Sequence, residues 1–186
     1  MLITLIVTTY NRPDALLLVL KSIEKQVLIP VQVIVADDGS DVRTKKIIDE
    51  FKVNSNLNII HSFQDDKGFR AAMSRNKAIA KAKGDYIILV DGDMILHSKF
   101  VEDHSKNANL GYFIQGSRVL LSEVQTKKVI NKHKILFNIF SLGLKNRKNA
   151  IHSDFLARFF SAVGRNHRGI KTCNFSFYKS DALEVN

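Results

Sequence analysis

Gly84-Asp85-Tyr86-Ile87-Ile88-Leu89-Val90-Asp91-Gly92-Asp93 joins an unbroken apolar run to two carboxylates separated by one glycine. A run without polar alternation reads as a parallel strand buried on both faces, here residues 85–90. The aspartates mark where that strand leaves the core. Working outward, the same pattern recurs at residues 2–8, at residues 31–36, which lead into Asp37-Asp38-Gly39-Ser40, and at residues 57–61. Helical periods lie between these runs. Pro13 suits a first helical turn, and Leu16, Leu17, Leu20 and Ile23 recur at helical spacing to about residue 26. Asp41 can cap a second helix with Ile47, Ile48 and Phe51 on its inner face, and residues 68–83 form a third, starting near Phe69. Strands alternating with helices predict an α/β fold with a mostly parallel, right-handed central sheet flanked by helices. The unusual polar residues all fall at the carboxyl ends of strands, where open α/β sheets bind ligands.

Beyond residue 100 the pattern predicts a helix to about residue 107, a strand over 112–120, basic segments of helical periodicity, a strand over 172–178 and a turn or helix from Ser180. The two prolines and nine scattered glycines mark no linker, so a single domain is expected over residues 1–186. With 45% hydrophobic and 25% charged residues the chain has the makings of an ordinary packed core. No run is long and apolar enough to span a bilayer, and residues 1–7 lack the basic start and cleavage site of a secretory signal, so the expected location is cytoplasmic. The one cysteine, Cys173, excludes an internal disulfide and a cysteine-based metal site.

The net charge of +10 is not spread evenly: residues 125–171 carry eleven Lys or Arg against one acid, Asp154, and the remainder is neutral. Within this segment Ile135, Leu136, Phe137, Ile139, Phe140 and Leu142 lie among lysines, and Phe155, Leu156, Phe159 and Phe160 surround Arg158. Two readings stand. The stretches either lie on the inner face of an anionic membrane, giving the protein a peripheral location, or form core-packing helices with solvated basic faces. Charge alone would also fit nucleic acid, but no recognition module accompanies it.

Asp91 and Asp93, two positions apart after a buried strand, can turn toward one point and offer hard oxygen ligands to Mn²⁺ or Mg²⁺. An isolated Asp-x-Asp is otherwise an ordinary turn. The second pair, Asp37-Asp38, on the same sheet edge favours a site, because grouped carboxylates repel unless cations or donor groups stand between them. Asp38 suits hydrogen bonds from a base or a ribose, which need no metal. Arg70, near the start of the third helix, can reach a nucleotide or its phosphates, whereas Arg75 and Lys77 read as a solvated face. His97 follows Asp93 closely enough to join a metal or to serve as a hydrogen-bonded structural histidine. The glycine-rich dinucleotide fingerprint, the phosphate-binding loop, the nucleophile elbow and the His-Glu-x-x-His zinc motif are all missing.

Taken together, Thr8-Thr9-Tyr10-Asn11-Arg12-Pro13, Val35-Ala36-Asp37-Asp38-Gly39-Ser40, Gly68-Phe69-Arg70-Ala71-Ala72 followed by Arg75-Asn76, the 84–93 run and Cys173-Asn174-Phe175-Ser176-Phe177 resemble, in order, family 2 glycosyltransferases of the GT-A fold. The resemblance is nearest to the bacterial branch related to galactosyltransferases and chondroitin-type polymerases. It implies a Rossmann-like N-terminal half, residues 1–100, that binds the nucleotide sugar, and an acceptor-side half, residues 101–186. It implies inverting, metal-dependent transfer from a UDP-sugar to a glycan or lipid-linked glycan in cell-surface polysaccharide synthesis. By the same resemblance Thr8 and Tyr10 flank the base, Asp38 holds the uracil, Arg70 meets the nucleotide, Asp91 lies near ribose or donor sugar, Asp93 ligates Mn²⁺ or Mg²⁺, and Asn174 lies near a sugar. For Tyr10, stacking on the base and simple packing both remain open.

An inverting enzyme also needs a general base. In the branch resembled, the late strand is followed by Gly-Phe-Asp/Asn-Glu and an acidic pair that supplies it. Neither Asp181 nor Glu184 matches that position, so the base is expected beyond Asn186, as in a chain truncated at its C-terminus. The competing expectation is a nucleotide-sugar or membrane-glycolipid binding module that lacks the base or borrows it from a partner.

Overall fold

The structure, a computed structural model, describes residues 1–153, 164 and 169–185. Strands β1 (Ile3–Thr9), β2 (Gln32–Asp37), β3 (Ile59–Phe63) and β4 (Tyr86–Asp91) alternate with helices α1 (Pro13–Glu24), α2 (Val42–Asn54) and α3 (Ala71–Lys81). There follow α4 (Phe100–Asn107), the short strands β5 (Ile114–Gln115) and β6 (Leu120–Leu121), α5 (Glu123–Asn131), β7 (Leu144–Lys145), a 3₁₀ turn (Arg147–Ala150), β8 (Asn174–Tyr178) and α6 (Lys179–Glu184). The main sheet has the order β3-β2-β1-β4-β8-β5, and β6 and β7 make a small ribbon of their own.

β1 to β4 pair in parallel, while β8 runs antiparallel to both β4 and β5, so the sheet is mixed but mostly parallel. Each central strand buries both faces, as its apolar run requires. Leu5, Val7, Val35, Ile88 and Val90 pack with α1, α2 and Val101 of α4, whereas Ile6, Ile34, Ile87 and Leu89 pack with Ala78 and Ala82 at α3. The first two crossovers therefore lie on one face and the third on the other. β1 has β2 on one side and β4 on the other, so the connections leave it in opposite directions. This is a topological switch point, and it opens a crevice at the carboxyl ends of β1 and β4.

Helix starts follow their caps. Pro13 occupies the first turn of α1, and the Asp41 side chain accepts a hydrogen bond from Arg43 N at the start of α2. α3 begins later than its periodicity suggests: Gly68 has φ +81° and Arg70 is the N-cap, so residues 68–70 belong to the loop. The strand expected over 112–120 is broken into β5 and β6, which join different sheets, because Gly116 sits directly against Asn174. Residues 134–143 are irregular and not helical, with Gly143 at φ +72° closing a turn onto β7. Phe155, Leu156, Arg158, Phe159 and Phe160 lie outside the described residues. Among the described residues no helix is long and apolar enough to cross a membrane.

Candidate functional site

The crevice is built from the strand ends that the topology brings together. Thr8 and Asp91 face each other in the register of β1 and β4, and the Gly92 N–H donates to the Thr8 carbonyl at 2.7 Å. A Cβ on Gly92 would lie 2.8 Å from that carbonyl oxygen, so only glycine fits between the two aspartates. Asp91 is half-buried and Asp93 exposed. Arg75 reaches over from α3, its Nε donating to Thr8 Oγ1 at 3.0 Å and its Nη2 to Asp91 Oδ1 at 3.3 Å. It thus ties the two strands at the switch point and is not the solvated residue expected from helix spacing. Ala71, Ser74 and Ala78 are buried against the sheet, and their small size lets α3 approach closely enough for the neighbouring Arg75 to span the gap. That small-residue stripe was the signal available in the sequence.

Burial pushes the Asp91 carboxyl above its ordinary pKa and Asp93 adds to the rise, against the pull of the Arg75 and Arg118 guanidiniums. Arg118 is a second cation that sequence reasoning passed over.

The second acidic pair is built inward. Asp37 accepts from Ser40 N at 2.8 Å and lies 2.8 Å from His61 Nε2. Burial would raise its pKa, but the bonds from His61 and Ser40 outweigh that and leave it lowered. Asp38, 3% exposed, accepts from Gln64 Nε2 at 2.6 Å and from Arg70 N at 2.8 Å. It therefore links β2 to the loop after β3 and to the start of α3, keeping one further lone pair on each oxygen. Arg70 turns its Nη2 to the Asp65 carbonyl at 2.6 Å, so its guanidinium braces the 64–70 loop. Tyr10 is half exposed and donates to Asp66 Oδ2 at 2.9 Å, which raises the pKa of its hydroxyl. Gly39, at φ +96°, lets the same loop close on the end of β2: a Cβ there would lie 2.5 Å from Asp66 Cα.

Asn174 is buried at the start of β8, its Nδ2 donating to the Ser117 carbonyl at 3.0 Å and its Oδ1 lying 2.9 Å from His104 Nε2. Among the buried side-chain polar atoms without a partner, Thr9 Oγ1, Gln64 Oε1, Arg70 Nε and Ser74 Oγ belong to residues of this edge. These leftover donors and acceptors suit a polar ligand.

Other concavities and clusters lie elsewhere. An open cleft of about 470 Å³ lined by Lys83, Asp85, Tyr178, Lys179 and Leu183 is at the amino edge of the parallel strands and touches none of the four aspartates. Asp181 is on that side too, accepting from Gly111 N at 2.9 Å. His97 joins Asp103 and His152, with one possible ligand atom from each within 4.8 Å of the others. The His97 and His152 rings are stacked, 14° from parallel with centroids 4.6 Å apart, so their in-plane lone pairs run side by side and do not meet on one ion.

A family model described as Glycosyl transferase family 2 matches residues 4–168. The hyaluronan synthase of Pasteurella multocida is 37% identical over 103 residues, 55% of this chain and 10% of that protein. The chondroitin synthase of Escherichia coli is 32% identical over 103 residues, 55% of this chain and 15% of that protein. The chain thus spans only a small part of the length of these relatives. Among solved structures, glucosyl-3-phosphoglycerate synthase from Mycobacterium tuberculosis, in complex with uridine diphosphate, superimposes with a TM-score of 0.56 at 15% identity, covering 96% of this chain and 57% of that one. At that identity the likeness shows the GT-A fold.

Proposed function

The chain belongs to glycosyl transferase family 2, and from that premise we propose that it transfers a sugar, with inversion, from a UDP-sugar seated at the switch point between β1 and β4 to a glycan acceptor. The observation that carries this reading is the Thr8–Arg75–Asp91 bridge, which sets a guanidinium, a hydroxyl and a carboxylate at one point of the ligand-binding edge, with Asp93 close enough to act on Asp91. An arginine there suits a phosphate oxygen, to which it can offer a planar fork of donors. Asp93 and Asp91 fit Mn²⁺ or Mg²⁺: both offer hard oxygen, and half-burial of Asp91 beside a second carboxylate disfavours its charge unless cations face it. When bound, the ion neutralises charge on the departing diphosphate.

The nucleoside end is assigned to the Asp38 side of the crevice. Asp38 accepts from the base through its remaining lone pairs, Tyr10 flanks the base, and Thr8 lines the passage to the phosphates. Arg70 acts chiefly by holding the 64–70 loop against Asp38, and Asn174 by closing the far side near the sugar. In the transfer the acceptor oxygen bonds to the anomeric carbon as the bond from that carbon to the diphosphate oxygen breaks, and the acceptor proton passes to a general base. None of the described carboxylates is assigned that role. Residues 1–100 form the donor half and residues 101–186 the acceptor side of one domain. The acceptor is proposed to be lipid-linked, because Leu136, Phe140 and Leu142 are exposed among lysines.

Titration calorimetry tests the donor site. UDP is expected to bind the wild-type chain more tightly with Mn²⁺ than with EDTA. Asp93→Ala should remove that difference, a loss of at least tenfold or about 1.4 kcal/mol. Equal affinity in EDTA would defeat the metal role.

A further inference from the structure

Asp91 has a cation on each flank: Arg75 comes from α3 over β1, and Arg118 comes from the segment after β5. The position of Arg118 is set by β8. In the antiparallel register Val90 faces Asn174, so Cys173 stands one step further, across from Asp91. Arg118 Nη1 donates to Cys173 Sγ at 3.2 Å. A thiol sulfur is a weak acceptor. Among the described residues the guanidinium makes no other hydrogen bond, so most of its donors remain for a stronger acceptor.

The segment that carries Arg118 is held by a buried polar chain whose proton directions follow from one another. Asn174 must point Nδ2 at the Ser117 carbonyl, because the flipped amide would set two carbonyl oxygens face to face. Its Oδ1 then accepts from His104 Nε2–H. The other ring nitrogen, Nδ1, is left to accept from Ser176 Oγ at 2.6 Å, and that hydroxyl accepts in turn from Tyr86 OH at 2.7 Å. Gly116 N donates to the Asn174 carbonyl, and a Cβ on Gly116 would lie 2.1 Å from Asn174 Nδ2. Asn149 Nδ2 fixes the Arg118 carbonyl at 3.0 Å. So much buried, mutually satisfied polar structure defines the backbone on both sides of one half-exposed arginine.

We propose that Arg118 is a second phosphate-binding cation of the donor site, facing the diphosphate from the β8 side opposite Arg75 and positioned through Asn174 and His104. This rests on the donor-binding reading above. Two guanidiniums flanking the Asp91–Asp93 turn match an anion with two phosphoryl groups, whereas a lone nucleoside gives Arg118 nothing to bind.

The test is calorimetry in Mn²⁺ on the wild-type chain, Arg118→Gln and Arg118→Lys, with UDP and with uridine as probes and with melting curves to establish folding. Arg118→Gln is expected to weaken UDP tenfold or more and to leave uridine unchanged, with Arg118→Lys between the two. Unchanged UDP affinity in Arg118→Gln overturns this inference while leaving the donor site standing. Parallel loss of UDP and uridine also overturns it, since the arginine would then act through the fold. Wild-type chain that binds no UDP overturns the donor reading and this inference with it. Should Arg118→Gln not fold, Arg118→Lys decides by the same comparison of UDP with uridine.

Discussion

Asp91 is a carboxylate kept where burial and a neighbouring Asp93 disfavour its charge, with two guanidiniums opposing them incompletely. Its folded pKa is raised above the ordinary 3.8. The folded state therefore holds a proton at pH values where the unfolded chain has released it. Stability falls as pH rises through that interval, and the cost persists above it. Asp91→Asn should accordingly melt at a higher temperature than the wild type at pH 7 and lose the advantage below about pH 4, while its Mn²⁺-dependent UDP binding disappears. Melting curves at the two pH values check the first part and calorimetry the second. A variant less stable than the wild type at pH 7 would mean that Arg75 needs Asp91 more than Asp91 is penalised. Such exchange of stability for a charged site is common where a fold holds ligands.

At the scale of elements, β4, β8 and α4 are joined by the Tyr86–Ser176–His104–Asn174 chain. Burial pushes His104 down to about 4, so it is neutral at pH 7, as its one donated and one accepted bond require. The unfolded chain takes up a proton near pH 6.5 that the folded state refuses, so this group makes stability fall as pH drops from about 6.5 toward 4. His104→Gln should flatten the pH dependence of the melting temperature across that window. It should also cost about 1–3 kcal/mol at pH 7, because Ser176 and Asn174 lose a partner in a buried place. An unchanged slope would place the acid sensitivity elsewhere. Asp37 does not confuse the measurement. Its pKa is lowered below 3.8, so its contribution is present above that value and is lost only as pH falls further.

For the whole molecule the uneven charge is the dominant feature. The surplus of +10 is confined to residues 125–171, and within the described part of that segment Leu136, Phe140 and Leu142 are 75%, 84% and 75% exposed. The irregular backbone of 134–143 leaves these side chains without the core contacts that a packed helix would give them. Cations near an anionic bilayer contribute about 1 kcal/mol each, and exposed apolar side chains add to this. The chain is expected to float with phosphatidylglycerol vesicles and not with phosphatidylcholine vesicles, and to be released by high salt. Phe140→Asp combined with Leu142→Asp should abolish flotation. No recovery with either lipid would refute a membrane-facing acceptor side, and equal recovery with both would refute the part given to the basic charge.

The residues alone determined the alternation of strands and helices, because a strand buried on both faces must be continuously apolar and a capped helix must begin at a residue such as Asp41 or Pro13. They also located the acidic pairs at strand ends, since a carboxylate interrupts an apolar run where the chain meets either solvent, as at Asp93, or hydrogen-bond donors, as at Asp37 and Asp38. Asp91 and Asp93 were legible for that reason. Arg75 was not, because its partners Thr8 and Asp91 come from strands whose neighbourhood is set by a crossover and not by spacing along the chain. The same holds for Arg118, whose contact with Cys173 places its charge near Asp91 because β8 pairs with β4. Likewise only tertiary structure showed that Asp38 and Arg70 are tied to their own loop, and that residues 112–120 divide where Gly116 meets Asn174. Local periodicity records which face of an element is buried. Which elements lie side by side, and so which charges meet, is decided by the packing of the whole sheet.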